Sequence, residues 1–347
     1  MLTLIYFILI LGVIVLVHEF GHFIFAKMFK VHVYEFSIGM GPKVWGTKPK
    51  KGETAYNIRA IPIGGFVQLA GEEVDDDDNI PKNKKLYNKP IWQRLLIMFF
   101  GAGNNFILAF LVLMFIGLFT GSPVMDPVLT KVDTNYPLYE AGIRDNDKVL
   151  KINGKSISTI DDVKVYMTIY ANGDEVTFDV ERNGKDYTYK VTPKKEENDG
   201  TVSYKFGAVF EQKTETGFLN AVKYAFTKVG AYIKQMFITL WALFTGLVGV
   251  KSLSGPVGIY SIVGQSASSG VMSLLNLLAL LSVNVGFINL IPLPAFDGGR
   301  ILFLLIEKIK GSPVSPKVEN TVHSIGFILL MVLLLFITFN DVLRLIG

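Results

Sequence analysis

Apolar residues are arranged along this chain in two textures, long uninterrupted runs and short alternating ones, and the two predict different kinds of element. Residues 1 to 17 carry no charge, and the run continues past His18, Glu19 and His22 to Phe25. About 20 apolar residues suffice for a helix that crosses a bilayer. Three further stretches reach that length: the 31 uncharged residues between Arg94 and Asp126, the part of the Lys251 to Asp297 interval beyond Gly270, and the run bracketed by Glu319 and Asp341. Before Gly270, Ser254-Gly255-Pro256 and the Gly264 to Gly270 segment read as chain breakers. The pattern therefore predicts transmembrane helices at 1–28, 91–122, 271–299 and 320–341, with a Gly/Pro-containing connection at 254–270. The 217–250 stretch is apolar but carries Lys223, Lys228 and Lys234, which predicts an amphipathic helix lying in the membrane interface. Met1-Leu2-Thr3-Leu4 offers neither the basic start nor the small-residue cleavage site of a secretory signal, so the first helix is expected to be retained.

The alternating texture fills 126–212. Val176, Phe178 and Val180 alternate before Asn183-Gly184, and Tyr187, Tyr189 and Val191 alternate after it, the pattern of a hairpin closed by a type I′ turn. Between the first two spans, in 29–90, Gly39, Gly41, Gly64 and Gly65 bracket apolar strand-like segments and predict another hairpin. The fold class expected is a polytopic α-helical membrane protein of about four transmembrane helices, with a membrane-associated β-hairpin and an inserted α+β domain.

Composition sharpens this picture. The 347 residues are 50% hydrophobic and only 18% charged, against about 25% in soluble domains. Residues 121 to 217 hold 13 Lys/Arg and 17 Asp/Glu, nearly half of the 64 charges in the chain, so one soluble domain interrupts the membrane part. A net charge of +4, split between regions, leaves no footprint for nucleic acid. With no Cys there is no disulfide, thiol nucleophile or Cys-ligated metal. Basic residues mark cytoplasmic loops. Lys82, Lys84, Lys85, Lys89 and Arg94, and then Arg300, Lys308, Lys310 and Lys317, put the first and third connections inside. Both termini and the soluble insert then face outward.

His18-Glu19-Phe20-Gly21-His22 reads H-E-x-x-H, which on a helix stacks two imidazoles on one face for zinc, with the Glu beside them as general base. Ionisable groups inside a span are costly and usually functional. A catalytic zinc takes a third protein ligand. His32, just past the first helix, is expected to be wet, which leaves His323 and a carboxylate. Asp297 follows Pro292 and Pro294 at the inner end of the third span, where a broken helix lets an acid turn inward, and His323 opens the fourth span at a similar depth. The acidic run Asp75 to Asp78 lacks spaced ligands and reads as a solvated loop. Asn105 and Asn289 are amides within apolar helices, suited to helix contacts or to a substrate backbone.

At these residues the chain resembles the site-2 proteases, intramembrane zinc metalloproteases, and within them the bacterial regulator-of-sigma-factor branch with one PDZ domain. Besides the zinc motif, the likeness is carried by Phe36-Ser-Ile-Gly-Met-Gly-Pro42, Ile61-Pro-Ile-Gly-Gly-Phe-Val67, Gly101-Ala-Gly-Asn-Asn-Phe106, Ser254-Gly-Pro-Val-Gly-Ile259 and Asn289-Leu-Ile-Pro-Leu-Pro-Ala-Phe-Asp-Gly-Gly299. Tyr136 to Gly154 resembles a bacterial PDZ segment, with Asn146 where Gly is usual. Ala102 and Phe296 depart from the commoner Pro and Leu. The resemblance implies Zn2+ held by His18, His22 and Asp297, with Glu19 as the base. It implies a re-entrant hairpin around Gly64 and Gly65 that, with Asn105 and Asn289, holds an unwound substrate, and a PDZ-like domain that receives peptide tails. The implied substrates are single-span membrane proteins such as anti-sigma factors or remnant signal peptides, cut near the cytoplasmic face of the cell membrane. The alternative readings are a catalytically idle PDZ-bearing membrane scaffold and a zinc transporter or sensor.

Overall fold

The structure is a computed structural model that describes residues 2–49, 52–72, 78–198, 201–210, 213–249 and 253–346. Asp75 to Asp77 of the acidic run lie outside the described residues. Along the chain run α1 (Leu2–Met28), β1 (Val33–Thr47), β2 (Ala55–Leu69), α2 (Ile91–Thr120), β3 (Ser122–Pro123), β4 (Lys131–Val132), α3 (Pro137–Glu140), β5 (Lys148–Ile152) and β6 (Lys155–Ser156). There follow α4 (Ile160–Ile169), β7 (Val176–Arg182), β8 (Lys185–Val191), β9 (Lys194–Asn198), β10 (Thr201–Lys205), β11 (Ala208–Val209), β12 (Thr214–Glu215), α5 (Phe218–Phe244), α6 (Pro256–Ser268), α7 (Val271–Leu290), α8 (Asp297–Lys310) and α9 (Pro316–Ile346). They form two compact units, Met1–Val112 with Leu253–Gly347, and Leu113–Ser252.

Among the described residues, four helices are long and apolar enough to cross a membrane: Leu2–Met28, Ile91–Thr120, Val271–Leu290 and Lys317–Arg344. Helix α1 ends in a Schellman turn, in which Lys30 takes a left-handed φ of 56° and the Val31 N–H donates to the Ala26 carbonyl at 2.8 Å. In the same unit α1 passes so close to α2 that a Cβ on Gly21 would lie 1.9 Å from the Phe100 carbonyl oxygen. Only glycine permits that approach.

Two stretches differ from their sequence pattern. The expected connection at 254–270 is largely helix α6, because Pro256 stands in the first turn, where a missing N–H costs no hydrogen bond. Gly264 inside it faces α1, where an added Cβ would meet Thr3 at 3.2 Å. The 271–299 stretch, whose prolines predict a break at its inner end, is two helices. Helix α7 stops at Leu290 because Pro292 and Pro294 cannot continue the ladder, and α8 restarts at Asp297.

The 29–90 region is more folded than a simple hairpin. Ser37 pairs with both Phe66 and Asn57, and Asn57 pairs in turn with Gly46. Each long strand therefore bends on itself at glycines with left-handed φ, Gly39 and Gly41 in β1 and Gly64 in β2. The result is four antiparallel segments in the order 65–69, 33–38, 55–58, 45–47. Segment 65–69 is an edge, and among the described residues no further strand pairs with it. At the base of this sheet Glu53 accepts hydrogen bonds from Lys27 at 2.7 Å and Lys84 at 3.2 Å and faces His32 Nδ1 at 3.1 Å. Burial pushes the Glu53 carboxyl upward, but the lysine hydrogen bonds outweigh it and hold the group at about 2.

In the second unit β6, β5, β7 and β8 form an antiparallel sheet whose inner face, Val149, Ile152, Val176, Phe178 and Val180, packs with Val163 of α4. Asn183 and Gly184 both take positive φ, 53° and 73°, as the type I′ turn requires. Asn146 has φ 66°, the left-handed conformation that glycine takes most easily and Asn tolerates. The buried Asp147 accepts two hydrogen bonds of 2.6 Å from Arg182. Helix α5, in the same unit, turns two of its three lysines to α4: Lys228 bonds Asp161 and Lys234 bonds Asp162, each at 2.6 Å. Its Phe226, Phe237, Trp241 and Phe244 are exposed.

Candidate metal centre

His18 and His22 lie one turn apart on α1, both buried, and α8 brings Asp297 to them. Asp297 Oδ2 is 3.2 Å from His18 Nε2 and 3.3 Å from His22 Nε2, and the two Nε2 atoms are 3.3 Å apart. The His22 Nδ1–H donates to the Ile97 carbonyl at 2.9 Å, which leaves Nε2 as a bare lone pair. Asp297 Oδ2 is buried and satisfied by no hydrogen bond. With the His18 proton likewise on Nδ1, the three atoms converge as acceptors with no donor between them, an arrangement a cation would stabilise. The fit to zinc can be tested by length. Ligand atoms about 2.0–2.1 Å from a tetrahedral zinc stand about 3.3–3.4 Å apart, and the observed triangle has edges of 3.2, 3.3 and 3.3 Å.

Asn105, fully buried on α2, reaches His18 Nδ1 at 3.4 Å. A His18 that uses Nε2 for a metal keeps its proton on Nδ1, so the amide oxygen is the atom that should face it. The Asn105 Oδ1, with no hydrogen-bond partner as oriented, is available for that role on an amide flip. Ser282 of α7 donates to the Asn105 carbonyl at 2.8 Å, and an added Cβ on Gly286 would crowd the Ala102 oxygen at 3.0 Å. Small residues hold α2 and α7 together there.

A cavity of about 740 Å³ opens beside the triangle, and Glu19, Phe66, Val67, Asn289, Arg300 and His323 are among its walls. Gly65 packs against Glu19, since a Cβ there would lie 3.5 Å from Glu19 Cγ and 2.8 Å from the Ser37 oxygen. Gly64 needs its left-handed φ of 85°. The Asn289 amide donates to the Val285 carbonyl at 3.0 Å, which leaves its oxygen for another partner. Arg300, one turn beyond Asp297, is ion-paired with Glu72 just after β2, so the sheet and α8 are tied together at the cavity.

The structure thus brings together His18, Glu19, His22, Asp297, Asn105, Asn289 and Gly65 of the sequence candidates. His32 stands apart with Glu53, and His323 lies in the cavity wall but outside the ligand triangle. Sequence reasoning missed Gly101, whose missing side chain makes room for His22: a Cβ would fall 2.2 Å from His22 Nε2. Glycine spacing in an apolar helix was the available signal. The Ile97 carbonyl, a backbone atom, left no signal at all.

Comparison with known proteins is consistent with this geometry. Peptidase family M50 matches residues 6–333. A protein of Clostridium perfringens is 38% identical over 98% of both chains. The regulator of sigma-W protease RasP of Bacillus subtilis and the zinc metalloprotease RasP of Bacillus licheniformis are each 33% identical over 99% of both chains.

Proposed function

The chain belongs to peptidase family M50 and is an intramembrane zinc metalloprotease, and from that premise we propose that His18, His22 and Asp297 hold the zinc while Glu19 is the general base. The observation that carries this reading is the triangle of convergent ligand atoms with zinc-site edges, beside an acid in a cavity. When bound, zinc acidifies a water and polarises the scissile carbonyl. Glu19 takes the proton of the attacking water and hands it to the departing amine. Asn105 fixes the His18 ring through Nδ1, and the Ile97 carbonyl does the same for His22.

A transmembrane helix has its carbonyls engaged and must unwind before hydrolysis. We assign the unwound strand to the free edge 65–69, whose Phe66 and Val67 line the cavity, by addition of a β-strand. The Asn289 amide oxygen would take a substrate N–H. The substrates are membrane proteins, and single-span segments of the anti-sigma type are the proposed class. That choice draws on the printed name of the Bacillus subtilis relative.

The insert is proposed to be PDZ-like. A groove of about 640 Å³ runs between α4, at Lys164 and Thr168, and the segment from Ser203 to Phe210, where a peptide tail would lie. With basic loops inside, the insert and both termini face outward and the zinc site lies toward the cytoplasm. The insert then filters out substrates that still carry a large outer domain. Glu19→Gln tests the core of the reading: zinc stays bound and cleavage of a reconstituted single-span substrate is lost. Unchanged cleavage would refute it.

A further inference from the structure

The turn that delivers Asp297 is strained, and one side chain outside the ligand set holds it. Ala295 takes a φ of 81°, a left-handed conformation that costs a residue with a Cβ. It sits between Pro294 and Phe296, two residues before Asp297. Its N–H has no partner in the helices on either side. Instead it donates to His323 Nδ1 of α9 at 3.1 Å. A backbone N–H can only donate, so His323 Nδ1 is the acceptor nitrogen and the neutral ring carries its proton on Nε2. The ring also lies against the start of α8, where a Cβ on Gly299 would stand 3.3 Å from His323 Cε1. One turn further along α9, Gly326 lets the helix approach the same loop: a Cβ there would be 2.3 Å from Pro294 Cβ. Helix α9 therefore braces the 294–299 turn at a hydrogen bond, a ring contact and a close backbone approach.

We propose that His323 is a positioning residue that sets the zinc affinity of the site through the Ala295 N–H, holding the strained turn from which Asp297 reaches the metal, and that it is not itself a ligand. The inference rests on the reading of Asp297 as a ligand. It assigns Nδ1 the working role, so side chains that place an acceptor where Nδ1 stands should substitute for histidine and others should not. Asn places its amide oxygen near that position, whereas Gln places its polar group near Nε2.

The test is the zinc dissociation constant of full-length protein in detergent, measured by competition with a chromophoric chelator for wild type, His323→Ala, His323→Asn and His323→Gln. Removing a group that orients a ligand weakens metal binding by about 10–100-fold. That loss is expected for Ala and Gln, with Asn within about threefold of wild type, and with cleavage by the Ala variant recovering at saturating zinc. Equal affinity in all four proteins would overturn the proposal. So would Asn binding as weakly as Ala, because Nε2 would then be the atom that matters. Asp297→Ala measured alongside separates the two layers: unchanged affinity in that variant would defeat the ligand assignment itself, whatever His323 does. Far-ultraviolet circular dichroism on each variant keeps a folding failure from being read as either result.

Discussion

Replacing Gly101 by Ala should empty the zinc site without unfolding the helix that carries the change. A Cβ at that position falls 2.2 Å from His22 Nε2, 2.4 Å from Cε1 and 2.9 Å from Cδ2. Ordinary contact between such atoms is about 3.5 Å, so the ring must retreat by about 1.3 Å. It has little freedom to do so. His22 Nδ1 is tied to the Ile97 carbonyl at 2.9 Å, and neighbouring Gly21 is locked against the Phe100 oxygen. A displacement of that size takes Nε2 out of a ligand triangle with 3.3 Å edges. Misplacement by about 1 Å costs on the order of 10²-fold in catalysis even without metal loss. Local helix propensity moves the other way, since Ala is favoured over Gly by about 1 kcal/mol, partly offsetting an overpacking cost of about 1–3 kcal/mol. Purified variant and wild type would be compared for zinc per chain by atomic emission and for cleavage of a single-span peptide in bicelles. Gly103→Ala serves as control, because its Cβ meets only the edges of Phe100 and Phe99, at 3.2 and 3.3 Å. Zinc loss in the Gly101 variant alone is expected. One zinc per chain and wild-type cleavage in Gly101→Ala would refute the geometry.

Asn105→Ala should weaken zinc binding by about 10–100-fold by freeing His18 Nδ1, read by chelator competition. Arg182→Ala leaves the buried Asp147 without its bidentate partner; since Arg182 is 29% exposed, the loss should be roughly 2–3 kcal/mol, below the range for fully buried pairs, and should appear as faster hydrogen exchange in 148–191. Glu53, with an ordinary value of 4.5, is held at about 2. A carboxyl depressed on folding stabilises fully above its unfolded value and loses that contribution as pH falls through the folded one. Protection of the β1–β2 sheet should therefore decline between about pH 4.5 and 2, and Glu53→Gln should remove that pH dependence.

How much of this was legible in the sequence depended on how local each signal was. His18 and His22 are neighbours on a helix by spacing alone, and the insert's hairpin was announced by Asn183-Gly184. The break before Asp297 could be read from Pro292 and Pro294, although the restart of a helix at that same Asp could not. The doubling of the β1–β2 sheet was hidden, because glycines report that a chain can bend and not which segment it bends toward. Pro256 misled for a related reason, since the residue that breaks a helix interior also opens one. Gly101 and His323 act across helices far apart in sequence. Their roles exist only once α1 meets α2 and α9 meets the 294–299 turn.

The central claim, that Glu19 does proton transfer beside a zinc held by His18, His22 and Asp297, is tested most directly by single-turnover cleavage of a reconstituted single-span substrate by Glu19→Gln protein of verified zinc content. One zinc per chain and a rate at least about 10²-fold below wild type, the contribution of a positioned general base, are expected. Zinc-loaded Glu19→Gln protein that cuts at the wild-type rate would contradict that claim.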